Sequence, residues 1–296
     1  MKPCRRPAPT PPVTARPKRL TVTEIEHWLR DPYTIYAKHI LKLRALDPVD
    51  TPPGARDRGT VIHQAIGDFT ERYAKALPAD PAAALIAIGQ DAFKHLEDYP
   101  EATAFWWPRF QRIAYWFAAW ETGRRAKTDT IHAETLGEMN VTPNFRLGAR
   151  ADRIERLSDG RYAILDYKTG RPPTDREVQV GLAPQLTLEG AILRQGGFKD
   201  IPAGSALAEL TYLRLSGGDP AGEQNEKQFE DSSPDQEADK ALARLRAVVE
   251  EFALPQTPYQ SFTRPQWVGR TYSDYDHLAR VKEWSAFGGE DDGEFQ

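Results

Sequence analysis

Asp166 and Lys168 stand two positions apart at the end of an apolar run, Ile164-Leu165-Asp166-Tyr167-Lys168-Thr169-Gly170. In a β-strand, side chains i and i+2 share a face, so this acid and this base project side by side. Asp152 lies fourteen residues earlier in Phe145-Arg146-Leu147-Gly148-Ala149-Arg150-Ala151-Asp152-Arg153-Ile154, which also reads as a strand. Ser158-Asp159-Gly160 between the two segments is a hairpin signal. Folding that hairpin brings Asp152 and Asp166 to one end of two paired strands. Two carboxylates and a lysine on one edge suit a divalent cation that holds an attacking water against a phosphodiester. The residues therefore read as a metal-dependent nuclease core. The bland alternative is a solvated Asp-x-Lys, with Asp152 an ordinary hairpin charge paired with Arg150 or Arg153.

The elements that must position these groups are legible in outline. Thr23-Glu24-Ile25-Glu26 predicts a capping box opening a short helix to about Arg30, and Pro32 starts a second. A longer helix runs from about Arg56 to Lys75, with Val61, Ile62, Ala65, Ile66 and Phe69 as its apolar stripe and His63 off the stripe's centre. Helices are expected over 80–97 and 102–126, then strands near 130–139, 146–156 and 161–167. A helix near 177–195, a strand near 206–214 and a helix near 234–253 complete the core, and a last short helix falls near 273–285. Helices around a small mixed sheet imply an α/β or α+β domain. Residues 1–17 carry six prolines among scattered Arg and Lys and predict an extended, disordered linker. Residues 18–286 then divide into a helical part, 18–128, a catalytic core, 129–254, and a C-terminal segment, 255–286. Residues 287–296 read as an acidic disordered tail.

Composition sets the outer bounds. The chain has 296 residues, enough for one large domain or two small ones, and a net charge of −4. It is not basic overall, so DNA contact must come from a local patch. The single cysteine, Cys4, excludes a disulfide framework and a Cys-based metal site within the chain, and fits a reducing cytoplasm. No run of about eighteen apolar residues suggests a membrane span. The basic N-terminus lacks the apolar stretch of a secretory signal. No G-x-x-x-x-G-K-[ST] phosphate loop is present, so no ATP site is expected.

Taken together, Asp152, Asp166-Tyr167-Lys168 and the upstream Gly59-Thr60-Val61-Ile62-His63 resemble the PD-(D/E)XK nucleases of the RecB type. The order matches: a histidine on an early helix, an Asp, an Asp-x-Lys, then a glutamine on the following helix, here Gln185 in Pro184-Gln185-Leu186-Thr187-Leu188-Glu189. Thr21–Glu26, Asp31–Ala37 and Tyr272–Arg280 look like the subgroup formed by the AddB nuclease domains of AddAB helicase-nucleases, of the alphaproteobacterial type. The resemblance covers roughly residues 18–286. It implies a cation, Mg²⁺ with Mn²⁺ as an alternative, held by Asp152, Asp166, the Tyr167 backbone carbonyl and His63. It implies Lys168 and Gln185 beside them as catalytic groups, an AddA-type helicase as partner, cleavage of the 5′-terminated strand, and work in double-strand break repair and recombination. It also implies a helicase-like region ahead of this domain. The chain would then begin within a linker, as a fragment, a split gene or a misassigned start, alternatives the sequence leaves open.

Two departures from the family matter. The pattern has Tyr four residues after the Gln, and Glu189 stands there, which puts the DNA-positioning role of that helix in doubt. Many relatives hold an iron–sulfur cluster through one early cysteine and three late ones. Here the early position reads Arg30-Asp31-Pro32 and no cysteine follows residue 255, so a four-thiolate cluster is excluded. Tyr259, Phe262, Trp267, Tyr272 and Tyr275 instead predict that the C-terminal segment docks on the N-terminal helices by apolar packing.

Other residues keep two readings. Glu134 is either an acid supporting the site or a solvated charge. Arg171, just past the second strand, is expected to contact a phosphate. Phe105-Trp106-Trp107, Phe110, Tyr115, Trp116, Phe117 and Trp120 interleave with Arg109, Arg112, Arg124 and Arg125, a pattern that suits stacking on unpaired bases. The same positions recur at three- and four-residue intervals, so core packing is the stronger reading, with Arg109 and Arg112 left to touch the DNA backbone. Two other functions stay open: a catalytically silent DNA-binding or scaffolding module, and a free-standing RecB-like exonuclease.

Overall fold

Alternating apolar residues bounded by turn formers build the hairpin that carries the site. In the computed structural model, which describes residues 5–44, 46, 52–96, 98–262 and 274–284, β3 (Phe145–Leu157) and β4 (Tyr162–Lys168) pair antiparallel, with Arg153 opposite Leu165, Ile154 opposite Ile164 and Glu155 opposite Ala163. Gly160 closes the turn in the left-handed region, at φ 84°, where a side chain would be strained. Its amide donates to the Leu157 carbonyl at 2.9 Å. Before β3 runs β1 (Arg19–Thr21) and the long β2 (Thr128–Thr142); after β4 come β5 (Leu207–Leu215) and β6 (Gly222–Glu226). The six strands form one mixed sheet in the order β1-β3-β4-β5-β6, with β2 also paired to β3. The β4–β5 pair is parallel, with Asp166 opposite Tyr212, and the β5–β6 pair is antiparallel. The sheet and its flanking helices are the α/β architecture expected.

The chain packs as two compact units, one of residues 48–139 and 148–242, the other of residues 1–47, 140–147 and 243–296. In the first unit, α3 (Ala55–Arg72), α4 (Pro81–Phe93) and α5 (Pro100–Arg125) cover one sheet face. Asp80 caps α4, accepting from the Ala83 amide at 2.9 Å, and Pro81 and Pro100 occupy first helical positions. The predicted α3 stripe is buried in full and meets Phe110, Phe117, Leu165, Tyr167 and Leu213. Full burial of each such side chain is worth about 1.5–3 kcal/mol. Thus the aromatic helix is mostly core: Phe110 and Phe117 are inaccessible, the tryptophans pack partly against them, and Phe105 and Tyr115 face solvent.

An ion-pair network lies under this packing. Arg153 bonds Glu121 and Glu155 at 2.7 Å each, and Arg124 bonds Glu155 at 2.7 Å and Glu209 at 2.8 Å. All five groups are buried. The network joins α5 to β3 and β5, and removal of one partner strands a buried charge. Arg153→Met is expected to cost about 3–5 kcal/mol in urea unfolding; a loss below about 1 kcal/mol contradicts this role.

On the other sheet face, the helix expected over 177–195 is two helices, α6 (Asp175–Gln179) and α7 (Gln185–Arg194). Gly181, at φ 81°, and Pro184 end the first and start the second. The break makes Gln185 the first residue of its helix.

The second unit differs most from expectation. The capping box of α1 (Val22–Arg30) uses Thr21 and Glu24 rather than Thr23. Pro32 opens α2 (Pro32–Ile35), which continues as a π-helical turn over Tyr36–Ile40. The α8 helix (Pro234–Glu251) ends near Phe252, whose ring packs on Trp28 and Tyr259. The proline-rich start, read as a disordered linker, is extended but held over residues 5–17: Tyr259 N donates to Pro9 O at 2.8 Å and Ser261 N to Pro7 O at 3.2 Å. Buried Arg16 donates to the carbonyls of Pro11, Phe252, Leu254 and Pro255. Prolines cannot donate these bonds, so the acceptors dominate and the arginine satisfies them. Tyr259 is buried against Tyr36, and the Tyr275 hydroxyl donates to Leu43 O at 2.9 Å. The short α9 (Val281–Trp284) follows, while Trp267, Tyr272 and the expected acidic tail lie outside the described residues. Arg16→Ala removes the donor to the buried Pro11 carbonyl and to the Phe252, Leu254 and Pro255 carbonyls and is expected to lower stability by about 3 kcal/mol, read by urea unfolding; an unchanged midpoint contradicts the anchoring.

Candidate active site

Within the first unit, the ends of β3 and β4 converge with α3 and α7. Asp152 lies one step beyond the last paired residues, and its Oδ2 accepts from the Tyr167 amide at 2.8 Å. Asp166 and Lys168 share a face, as the i, i+2 spacing requires, and their charged ends are 2.7 Å apart. From the start of α7, Gln185 accepts from Lys168 Nζ at 3.1 Å and donates to Asp166 Oδ1 at 2.5 Å. From α3, His63 Nδ1 stands 3.6 Å from Asp152 Oδ2, and its ring meets Tyr167 edge-on. The structure thus gathers His63, Asp152, Asp166, Tyr167, Lys168 and Gln185 at one place.

Asp152 is not a hairpin charge neutralised by a neighbouring arginine. Arg153 points to the opposite face and bonds Glu121 and Glu155, while Arg150 pairs with Glu134 at 2.8 Å. Burial, then the Asp166 charge, push the Asp152 carboxyl well above the usual carboxylate range. Burial also holds the His63 imidazole below its ordinary value against the pull of Asp166, which leaves the ring neutral at pH 7. Burial opposes the Lys168 ammonium too, but the adjoining Asp166 carboxylate outweighs it and raises the lysine.

A cleft of about 700 Å³ opens on the His63 and Asp152 side of this centre, lined also by Arg56, Gly59, Glu134, Arg150 and Thr169 among others. Glu134 is half-buried in its wall, with φ 48° in the left-handed region. Burial raises its carboxyl, and Arg150 works against that rise. Gly67 lies against it: a Cβ there would meet Glu134 Oε1 at 2.6 Å, so the glutamate side chain would have to shift. Arg171 is exposed just past β4. Arg109 and Arg112 are not among the lining residues; Arg112 Nε donates to Gly217 O at 2.8 Å, and Arg109 packs against the same glycine.

Three further groups join the site, to which the sequence assigned no role there. Arg56 and Arg150 supply positive charge to the cleft; Arg150 was legible as the i−2 neighbour of Asp152 on one strand face. Glu189, one helical turn after Gln185, is fully buried and takes part in the same hydrogen-bond chain, through Gln185 Nε2 at 3.3 Å. Its i, i+4 spacing from Gln185 was the available signal.

The donors fit a hard divalent cation: two desolvated, mutually repelling carboxylates, one main-chain carbonyl and a neutral imidazole. Among the described residues no group of three or more His, Cys, Asp or Glu side chains is arranged to hold a metal ion as the side chains stand. Lys168 and the Gln185 amide stand between the acids instead.

The model of the PD-(D/E)XK nuclease superfamily matches residues 19–264. An uncharacterized protein of Rickettsia bellii (strain RML369-C) is 35% identical over 187 residues, covering 62% of this chain and 22% of its own length. An ATP-dependent helicase/deoxyribonuclease subunit of Streptococcus mutans serotype c (strain ATCC 700610 / UA159) is 25% identical over 181 residues, covering 58% of this chain and 16% of its own. The crystal structure of SSO0001 superposes with a TM-score of 0.31 at 13% identity, covering 78% of this chain and 76% of that one, a likeness too slight to argue from. The chain spans about a fifth of the length of the curated relatives it matches. Among the described residues no helix is long and apolar enough to cross a membrane.

A raised folded-state pKa means that Asp152 favours the fold fully below its unfolded value of about 3.9, and that this contribution is lost as pH rises through the folded value. Asp152→Asn keeps an oxygen for the Tyr167 amide and removes the charge. In EDTA at pH 8 it should melt roughly 2–4 °C higher than the parent, converging with it below about pH 4. A lower melting temperature at pH 8 would show that the two acids do not strain the fold.

Proposed function

The chain belongs to the PD-(D/E)XK nuclease superfamily, and from that membership we propose that it hydrolyses DNA phosphodiesters with a divalent cation, as the nuclease domain of an AddB-like assembly. The observation that carries this reading is the convergence of Asp152, Asp166, Lys168, Gln185 and His63 at one strand end. Asp152, Asp166, the Tyr167 carbonyl and His63 would hold Mg²⁺; the imidazole leaves room for Mn²⁺. The cation supplies Lewis acidity toward the phosphate and acidifies a water.

The chain's own groups do the rest. Lys168 orients the attacking water and stabilises the negative charge that develops on phosphorus-bound oxygens. Gln185 fixes that ammonium and Asp166 at once, so both keep their geometry without an added charge. Arg150 and Arg171 contact phosphates on either side of the cleft, and Arg56 extends the positive track. Glu134 holds Arg150 in place. Similarity to the streptococcal helicase/deoxyribonucleases supports exonucleolytic work beside an AddA-type helicase, where ATP is used, in double-strand break repair and recombination in the cytoplasm.

The test is cleavage of linear single-stranded and duplex DNA in Mg²⁺ or Mn²⁺, with and without the helicase partner. Asp166→Ala and Lys168→Ala should each lose on the order of 10²-fold or more in rate while staying folded. Cation-dependent cutting that survives both substitutions sinks the assignment. Absence of cutting by folded parent protein, even with the helicase, favours a scaffolding module. Robust cutting with no helicase association favours a free-standing exonuclease.

A further inference from the structure

Glu189 lies on α7 one turn beyond Gln185, with its side chain inaccessible to solvent. The Gln185 amide donates both to Asp166 Oδ1 and to Glu189 Oε1, which fixes the two acids on the same small group. The second oxygen of Glu189, Oε2, is buried and has no hydrogen-bond partner among the described residues. A buried carboxylate oxygen without a partner is costly, on the order of 1–3 kcal/mol or more. Nothing else in the surrounding helix explains its retention: the residues beside it on α7 are apolar or small, Leu188 and Gly190.

Charge points to the missing partner. Asp152, Asp166 and Glu189 face the single ammonium of Lys168, and Arg150 is already paired with Glu134. Two negative charges are therefore left over when all three acids are ionised, the amount that a divalent cation balances.

We propose that Glu189 is a third carboxylate of the divalent-cation site, its buried Oε2 being the acceptor that the cation or one of its waters occupies. This rests on the nuclease reading above and adds a donor from α7 to the strand-borne acids. The glutamate thereby ties cation loading to the helix that also holds Lys168 through Gln185. Glu189 acts on the reaction through the cation and through Gln185, so it is a positioning residue.

The experiment is Mn²⁺ binding to the full chain, by electron paramagnetic resonance and calorimetry, with melting temperatures in EDTA as a second readout. Glu189→Gln should weaken Mn²⁺ on the order of tenfold or more, as loss of a supporting ligand does. Its cation-free melting temperature should be unchanged or higher, because a buried charge has gone. Glu189→Met, which removes the polar group altogether, should lose the same affinity and serves if the amide variant folds poorly. Parent-like affinity in either folded variant overturns the proposal, as does a drop in cation-free melting temperature with affinity unchanged. Parent protein that binds no Mn²⁺ at millimolar concentration sinks the nuclease reading itself, whereas tight binding by parent and variants alike sinks only the role of Glu189.

Discussion

The pairing register of β3 on β4 fixes everything else at the site. Side chains alternate across a sheet, so a slip of one residue would exchange the two faces of a strand. In the register observed, Asp166 and Lys168 meet Gln185 of α7 and Asp152 stands beside His63, while Arg153 and Tyr167 turn to the other face and meet Glu121 and Phe117 of α5. Slipped by one, Arg153 would enter the acidic cluster and Asp152 would be driven into the core. The ion-pair network on the far side penalises that slip heavily, since Arg153 would leave Glu121 and Glu155 buried without a cation. Such a network adds little net stability over an apolar core; what it does here is discriminate between registers.

A second consequence of the alternation is electrostatic. One sheet face balances its charges internally, with Arg124, Arg125 and Arg153 set against Glu121, Glu155 and Glu209. The other leaves carboxylates in excess over Lys168 at the strand end. The same backbone thus carries a charge-neutral structural face and an under-neutralised functional one a single residue apart.

Much of this was written in local sequence. The hairpin followed from Ser158-Asp159-Gly160, the acid–base pair from i, i+2 spacing, and the α3 packing from its apolar stripe. His63 and Gln185 were not readable from spacing; they came from resemblance, and tertiary contacts alone bring them to the strands. What escaped notice has physical causes. The β6 sequence Gly222-Glu-Gln-Asn-Glu has no apolar alternation, because an edge strand needs only backbone pairing. Thr21 caps α1 because the chain leaves β1 there, which Thr23 could not signal. The α6–α7 break hides behind helix-friendly residues on both sides of Gly181. The proline-rich start resembles a linker because its partners are far along the chain: Pro7 and Pro9 carbonyls accept from the Ser261 and Tyr259 amides, and Arg16 donates to the Phe252, Leu254 and Pro255 carbonyls, beyond any local pattern. Glu189 stood out only as a mismatch to the family, and its burial was invisible in sequence.

The unit built from residues 1–47, 140–147 and 243–296 has a consequence for biosynthesis. Its first segment leaves the ribosome early, yet Trp28 and Arg16 find Phe252 and the carbonyls around it only when the last segment is made. At about 5–20 residues per second, that delay is roughly 10–40 s. Over that interval an amphipathic helix and a row of proline carbonyls stay unmatched, while residues 48–139 and 148–242 already hold most of their own partners. Nascent chains stalled short of residue 243 should therefore carry the assembled cluster around Asp152 and Asp166 together with an unfinished second unit, exposed to holding chaperones.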